Sequence, residues 1–273
     1  AVLTLVFLAP WALGVDQPST DGDPTDWPAV IAQLQHEMLR HPRPTVRNQL
    51  GIAHNNYGIE LSKQNRLTEA VQQLEESVRL EPSYQQFRGN LARIYVRIAQ
   101  TAYEARQFKE ATEALKTAIT QNPREASAYL LLGEIEYNSQ RLKEAKVAWE
   151  KALELDPSLS GLQERLEHLR QELPVESAFE RVSQAYFDIR FTEQLQRDTG
   201  YDVRDALLDA RRTIGADFQY WPKHRLVVLV YRAEEFRQLR KGTPDWLAGQ
   251  YDGKIRVPLP GQGIDQDMMV RTL

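Results

Sequence analysis

Residues 126–157 read ASAYLLLGEIEYNSQRLKEAKVAWEKALELDP, and this pattern predicts two helices that pack against each other. Gly133 lies midway along the first helix, while Ala145 and Trp149 lie early in the second. Two helices approach closely only where one side chain is small, and a large side chain fills the adjacent hole. Pro157 ends the second helix because proline has no N–H to continue the hydrogen-bond ladder. The stretch therefore predicts a tightly packed helical hairpin.

The same pattern occurs twice more upstream. Prolines that follow a helical run stand at 82, 123 and 157, at intervals of 41 and 34 residues. The difference of seven residues is about two helical turns, so the apolar face stays aligned. The equivalent positions are Gly58, Ala99 and Gly133; Ala70, Ala111 and Ala145; Leu74, Leu115 and Trp149; and Ser77, Ala118 and Ala152. A recurring period of this length indicates a repeat architecture.

On these positions, residues 45–157 resemble the tetratricopeptide repeat (TPR) family. Residues 27–40 predict a half-repeat in front. A leucine stripe predicts a capping helix over 159–173, because an end repeat needs one polar face. The stripe consists of Leu159, Leu162, Leu166, Leu169 and Leu173. A coiled-coil dimer is the alternative interpretation of this stripe. We therefore expect a TPR solenoid over 27–173.

The TPR resemblance implies a concave face that binds a peptide or a partner protein. By analogy the first helix of each repeat lines this groove, with Asn55, Ile59, Arg93, Gln100, Tyr103, Leu130, Glu134 and Tyr137. The set is mixed in charge, and it lacks a cluster of lysines and asparagines for a C-terminal carboxylate. The alternative is that the repeats only brace the rest of the chain.

After Pro174 the repeat disappears, and strands alternate with helices. Alternating apolar residues over 185–191 predict a half-buried strand, and the continuous apolar run 226–231 predicts a central strand. A helix is expected over 201–214, ended by Gly215, and a short helix over 233–240. Another strand follows Asp252-Gly253, with Pro258 marking an edge strand or a strand end.

This order of elements resembles the front part of a peptidase-MA-like domain, of the gluzincin class of zinc metallopeptidases. The matching segments are 187–191, 227–231, 235–236, 244–246 and, most specifically, 251–258. The predicted fold is thus mainly α, a TPR α-solenoid followed by a partial α+β peptidase-MA-like domain over 175–273. The resemblance also implies a substrate-edge strand formed by Ala248, Gly249, Gln250, Tyr251, Lys254, Ile255, Arg256 and Val257.

The zinc motif of such domains, His-Glu-x-x-His, is absent from these 273 residues. Its two histidines share one helix face and bind zinc, while its glutamate activates the bound water. His36 and His41 are five residues apart and cannot share a helix face. We therefore predict no catalytic residue, metal ligand or bound cofactor in this chain. Zinc is implied for a full-length active homologue, whose motif we expect shortly after Leu273.

The apolar run 1–14 predicts the remnant of a signal peptide, and the polar stretch 15–26 a linker. An apolar helix docked on the protein is the alternative interpretation. The run is too short to span a bilayer, so no spanning segment is expected. We expect an exported protein, periplasmic or extracellular, or one tethered if the segment is uncleaved.

Composition narrows the possible functions. A chain of 273 residues suggests two domains. The absence of cysteine excludes disulfides, thiolate zinc sites and cysteine nucleophiles. A net charge of −4 argues against a nucleic-acid binder. Two classes of function remain: a TPR binding protein fused to the front of a zinc peptidase, or a non-catalytic TPR scaffold or assembly protein with an inactive peptidase-like domain.

Overall fold

The computed structural model describes residues 26–192, 197–222, 224–240 and 249–259, with backbone alone for 197–199. The chain divides into two compact units, residues 1–91 and 92–273. The boundary expected near Pro174 therefore lies inside the second unit. The signal-peptide remnant, the linker up to residue 25, segment 244–246, Ala248 and the approach to the expected zinc helix all lie outside the described residues.

The first unit contains α1 (Trp27–Arg40), α2 (Pro44–Lys63), α3 (Leu67–Leu80) and the start of α4 (Gln85–Glu104). The expected front helix is confirmed as α1, capped by Asp26, whose Oδ1 accepts the Ala29 N–H at 3.1 Å. His41 is the residue that follows the end of α1, so it shares no helix face with His36.

The pairing of α2 with α3 follows the predicted pattern of small and large residues. A Cβ atom added at Gly58 would lie 2.6 Å from Leu74 Cγ, so only glycine allows this approach. Ala70, Leu74 and Ser77 are completely buried. Gly58 therefore makes the close contact with Ala70 and Leu74 that the repeat predicted, and Ser77 is buried on the same helix.

The second unit contains the rest of α4 and then α5 (Phe108–Gln121), α6 (Ala126–Asn138), α7 (Leu142–Leu155) and α8 (Leu162–Glu176). The repeat positions are confirmed here too. Ala99, Ala111, Leu115, Ala118, Ala145 and Ala152 are completely buried, and Trp149 is nearly so. The ring of Trp149 fills the space beside Gly133, where an added Cβ would lie only 2.1 Å from Cδ1.

Four of the five stripe leucines lie on α8, and Leu159 precedes it. The structure differs from the alternative interpretation of the stripe and from the expected end of the helix. Leu162, Leu166 and Leu169 are buried in one cluster with residues of α7, so they are not available for a coiled-coil dimer. The helix also does not stop at Pro174, which lies inside it, but runs on to Glu176. A proline removes only one N–H from the ladder, and the last turn of α8 is held by its contacts with the sheet described below.

The C-terminal part of the second unit is a five-stranded sheet. Its strands are β1 (Glu180–Ser183), β2 (Phe187–Phe191), β3 (Leu226–Arg232), β4 (Gln250–Tyr251) and β5 (Ile255–Leu259). Among the described strands the order is β1-β2-β3-β5-β4, with β2, β3 and β5 parallel and the two outer strands antiparallel. The central position predicted for β3 is confirmed, whereas β1 was not predicted.

Helices cover both faces of this sheet. On one face α9 (Arg197–Phe218) buries Val203 and Leu207 against the three parallel strands. On the other face Leu229 and Tyr231 pack with Phe236 of α10 (Ala233–Leu239). The alternation predicted in β2 is present, but its polar side is covered as well. Asp188 is buried and accepts a bond of 2.6 Å from Arg181 Nε.

Gly215 does not end α9 as predicted, because the helix continues to Phe218. A Cβ atom at this position would lie 2.2 Å from Nε1 of Trp221. The glycine is therefore required for the close approach of the Trp221 ring and not for a helix end. In the part of the chain that the structure describes, no helix has the length and apolar character needed to cross a membrane.

Candidate functional site

The eight residues predicted to line a groove divide between the two units. Asn55 and Ile59 belong to the first unit. Asn55 is buried, and its Oδ1 accepts a hydrogen bond of 2.7 Å from Nδ2 of Asn90. Its side chain therefore joins α2 to the start of α4, and Ile59 is half-buried on α2.

In the second unit, α4 presents the more open part of the predicted surface. Arg93 and Gln100 are exposed, and Nε2 of Gln100 donates to Glu104 at 2.8 Å. Tyr103 is half-buried: its ring packs against Phe108, and its hydroxyl accepts a bond of 2.8 Å from Asn138. This bond holds the ends of α4 and α6 together.

The middle of α6 is tied to α8. Glu134 accepts two hydrogen bonds from the guanidinium of Arg165, one of them 2.7 Å long. That guanidinium also lies over the Trp149 ring, 4.5 Å from its centroid. The Trp149 Nε1 donates to the carbonyl of the half-buried Leu130 at 3.3 Å. Glu134 and Leu130 thus belong to a surface that the packing of the repeat holds in place.

Tyr137 is covered by the chain itself. Its hydroxyl donates to Glu172 of α8 at 2.8 Å and accepts from Nη2 of Arg256 of β5 at 2.9 Å. The Nζ of Lys254 lies 3.5 Å from the centroid of the Tyr137 ring. The turn before β5 and β5 itself therefore cover the C-terminal end of α6. Tyr137 is thus not part of an exposed groove.

These contacts belong to a group of side chains, all buried except the half-buried Tyr137, that we call the α8–β5 polar cluster. It consists of Tyr137, Gln140, Glu172, Glu176, Tyr231, Lys254 and Arg256. Arg256 lies at its centre, completely buried, 2.8 Å from Glu176 and 3.3 Å from Glu172. Arg240 adds a second cation at 2.8 Å from Glu172. The cluster joins the last repeat and α8 to the sheet.

Burial changes the titration of the cluster. It raises the pKa of Tyr231 and of Tyr137, and the charges of Glu176 and Glu172 raise them further, so both phenols stay neutral. Burial opposes the charge of Arg256, but the facing tyrosines and glutamates raise its pKa above the usual value. Burial lowers the pKa of Lys254 to about 7, although Glu176 opposes this effect.

We expect the protein to become more stable as the pH rises from 7 to 9. The pKa of Lys254 is about 7 in the folded protein and 10.5, the ordinary lysine value, in the unfolded chain. Between these two pH values, folded Lys254 has released a proton that the unfolded chain still binds. The free energy of unfolding then rises by up to about 1.4 kcal/mol per pH unit. The groups that face Lys254 are Glu172, Glu176, Asp252, Arg256, Tyr137 and Gln140. Urea unfolding at pH 7, 8 and 9 measures this slope.

The Lys254→Met variant is expected to lose this part of the slope. Lys143→Met, at an exposed position of α7, is the matched control and should keep it. Equal slopes in the wild type and in Lys254→Met would contradict the assignment.

The predicted substrate-edge strand is corrected by the sheet order. In the described sheet the outer strand is β4, with Gln250 and Tyr251, whereas β5 lies between β3 and β4. Lys254 and Arg256 are buried in the polar cluster and cannot face a substrate. The pairing of β4 with β5 ends at Arg256. Pro258 lies beyond this pairing, and in the described sheet it pairs with Tyr231 of β3 alone. Among the described residues, this edge of the sheet is therefore formed by Gln250–Tyr251.

The described residues do not fit a zinc ion. No group of three histidine, aspartate or glutamate side chains that could hold a metal is found among them. His54 Nδ1 lies 2.8 Å from Oε1 of Gln73, His168 lies beside Glu164, and His224 is in the turn before β3.

The polar cluster was missed in the sequence because its members are far apart in the chain. Glu176 and Arg256 are separated by 80 positions. Two local signals were available: Glu172 and Glu176 are four positions apart on one predicted helix face, and Lys254 and Arg256 are two positions apart where the sequence predicts a strand. Charges on a strand side that is otherwise expected to be buried indicate partners elsewhere in the fold.

Comparisons with known proteins bear on the repeats. Residues 96–160 match the tetratricopeptide repeat family, and no curated protein matches the chain. Similar solved structures include the TPR domain of Arabidopsis OM64, with 20% identity, covering 46% of this chain and 98% of that one, at a TM-score of 0.34. The first TPR domain of human RPAP3 is 24% identical; the match covers 46% of this chain and 94% of that one, at a TM-score of 0.33. MamA from Desulfovibrio magneticus RS-1 is 19% identical; the match covers 56% of this chain and 88% of that one, at a TM-score of 0.31. The matched residues, 96–160, all lie in the second unit.

Proposed function

We propose that the second unit binds a peptide or protein partner on the α4–α6 surface, defined as Arg93, Gln100, Tyr103, Leu130 and Glu134. The match of residues 96–160 to the TPR family supports protein–protein interaction as the function of the repeats. The location of the surface rests on the exposure of its side chains. Arg93 and Gln100 are exposed on α4. The other three residues are half-buried and held by the contacts described above: Tyr103, Leu130 and Glu134.

The chemistry of this surface defines the partner in broad terms. Tyr103 and Leu130 offer apolar contact, and Arg93, Gln100 and Glu134 offer donors and acceptors. The five residues of this surface include no lysine or asparagine that would select a terminal carboxylate. The α8–β5 polar cluster closes the Tyr137 end of α6, so the partner contacts α4 and the first half of α6. An internal peptide segment of mixed charge fits this surface.

Peptides selected by phage display against the protein test this proposal. We expect Arg93→Glu combined with Gln100→Ala to weaken their binding at least about 10-fold, a loss typical of two central contacts. Lys116→Ala, on the exposed side of α5, is the matched control and should leave binding unchanged. Fluorescence anisotropy with labelled peptides measures both affinities.

A result in which the double variant binds as tightly as the wild type would contradict the proposed surface. It would favour a second function, in which the repeats brace the sheet. The specific observation that favours this second function is the set of bonds from Tyr137 to Glu172 and Arg256.

We propose further that the C-terminal part belongs to an exported zinc peptidase, as its resemblance implies. The sequence of 251–258 and the outer position of β4 support this, because an edge strand can pair with an extended peptide. A full-length active homologue would then contain the His-Glu-x-x-His motif and bind zinc through it. The selected peptides, incubated with this chain and zinc, should stay intact by mass spectrometry. Cleavage would show that this chain contains catalytic groups.

The apolar run 1–14 supports export of the protein. N-terminal sequencing of the protein isolated from the periplasm or the medium tests this proposal.

A further inference from the structure

A cavity of about 440 Å³ lies in the second unit between α9 and the beginnings of the three parallel strands. Its floor is formed by Phe187, Leu226 and Ile255, the first residues of β2, β3 and β5. Leu207 and Ala210 of α9 form one wall. The volume is within the range of about 300–1,000 Å³ that is typical of small-molecule sites.

The rim of the cavity is also apolar. Ile214 and Phe218 continue the α9 wall to the surface, and Tyr220 faces them from the turn that follows. They are 45%, 77% and 65% exposed, far more than apolar side chains of a closed core. A patch of this kind at the mouth of a cavity indicates a binding surface for an apolar ligand.

Two side chains that can carry a positive charge, Arg211 and His224, line this mainly apolar space. The guanidinium of Arg211 lies over the Tyr186 ring at 3.8 Å from its centroid. His224 lines the same cavity from the turn before β3. Within the described part of the chain, neither side chain has a hydrogen-bond partner, and no carboxylate lies within ion-pair distance of Arg211. Burial and the charge of Arg106 lower the pKa of His224, which favours the neutral imidazole.

From these observations we propose that the cavity binds a small amphipathic carboxylate, one acid group on a hydrocarbon tail or ring. The tail lies against Phe187, Leu226 and Ile255. The carboxylate accepts hydrogen bonds from the Arg211 guanidinium, whose planar fork matches its two oxygens. His224 donates one further N–H to the same group. Charge complementarity selects this class of ligand over a neutral hydrocarbon, because the cation has no carboxylate partner among the described residues.

Decanoate and decanol, which share one hydrocarbon chain, are the probes for this site. We expect the intact protein to bind decanoate at least 10-fold more tightly than decanol in isothermal titration calorimetry. Arg211→Gln should abolish this preference while decanol binding stays the same. Arg212→Gln is the matched control, because Arg212 pairs with Asp209 and does not line the cavity.

A second variant keeps the proposal testable if Arg211→Gln does not fold. Ala210→Phe fills the cavity without changing its charge and should prevent binding of both probes. Equal affinity for decanoate and decanol, no saturable binding of either probe, or decanoate binding that survives both variants would overturn the proposal. Binding that appears only after proteolysis has removed residues 260–273 would also overturn it, since the chain itself would then fill the cavity.

Discussion

Replacing Arg256 with methionine is expected to lower the free energy of unfolding by about 3–5 kcal/mol, as is usual when one partner of a buried ion pair is removed. Arg256 is completely buried, and its Nη1 lies 2.8 Å from Glu176. Without it, Glu176 keeps the hydrogen bonds from Tyr231 and Gln140 and its electrostatic interaction with Lys254, whose pKa burial lowers to about 7. Glu172, in contrast, still has Arg240 at 2.8 Å. A buried carboxylate without a cation is costly to keep ionised. Urea unfolding followed by circular dichroism measures the loss.

The matched control is Arg165→Met. Arg165 pairs with Glu134 through two hydrogen bonds, but its side chain is 42% exposed, so we expect a loss of no more than about 1 kcal/mol. Combining Arg256→Met with Glu176→Leu should recover part of the stability, because the uncompensated carboxylate is then gone. If Arg256→Met and Arg165→Met cost the same, the polar cluster is not the contact that we describe.

Gly133→Ala is expected to destabilise the second unit by about 3 kcal/mol, the upper part of the usual range for overpacking a core. The added Cβ would lie 2.1 Å from Cδ1 and 2.3 Å from Nε1 of Trp149. The ring cannot move away easily, because it is buried and its Nε1 is bound to the Leu130 carbonyl. Thermal unfolding of the variant and of the wild type measures the loss.

Gly161→Ala is the control for the loss of a glycine as such. Gly161 has a φ of +73°, but nothing lies within 4 Å of an added Cβ, so we expect only about 1 kcal/mol. Adding Trp149→Leu to Gly133→Ala should restore stability, because the preceding repeat has Ala99 and Leu115 at these positions. A double variant no more stable than Gly133→Ala alone would show that the ring is not the cause.

The repeats could be read from the sequence because their determinants are local. Gly133 and Trp149 lie sixteen positions apart on two adjoining helices, and their pattern recurs at Gly58 and Leu74. The continuous apolar run of β3 likewise predicted its central position. For the predicted binding surface, the sequence supplied the helices and the residues on them. Whether each residue is open depends on what packs against it.

Contacts between distant segments were decided only by the tertiary structure. The leucine stripe predicted a capping helix but left a dimer as the alternative, and only the burial of its leucines beside α7 decides against the dimer. Tyr137 has the spacing of a groove residue, but Arg256, 119 positions later, covers it. Gly215 has the position of a helix end, yet it makes room for Trp221. Periodicity reports which side of an element is buried, and only the packed chain specifies the residue that buries it.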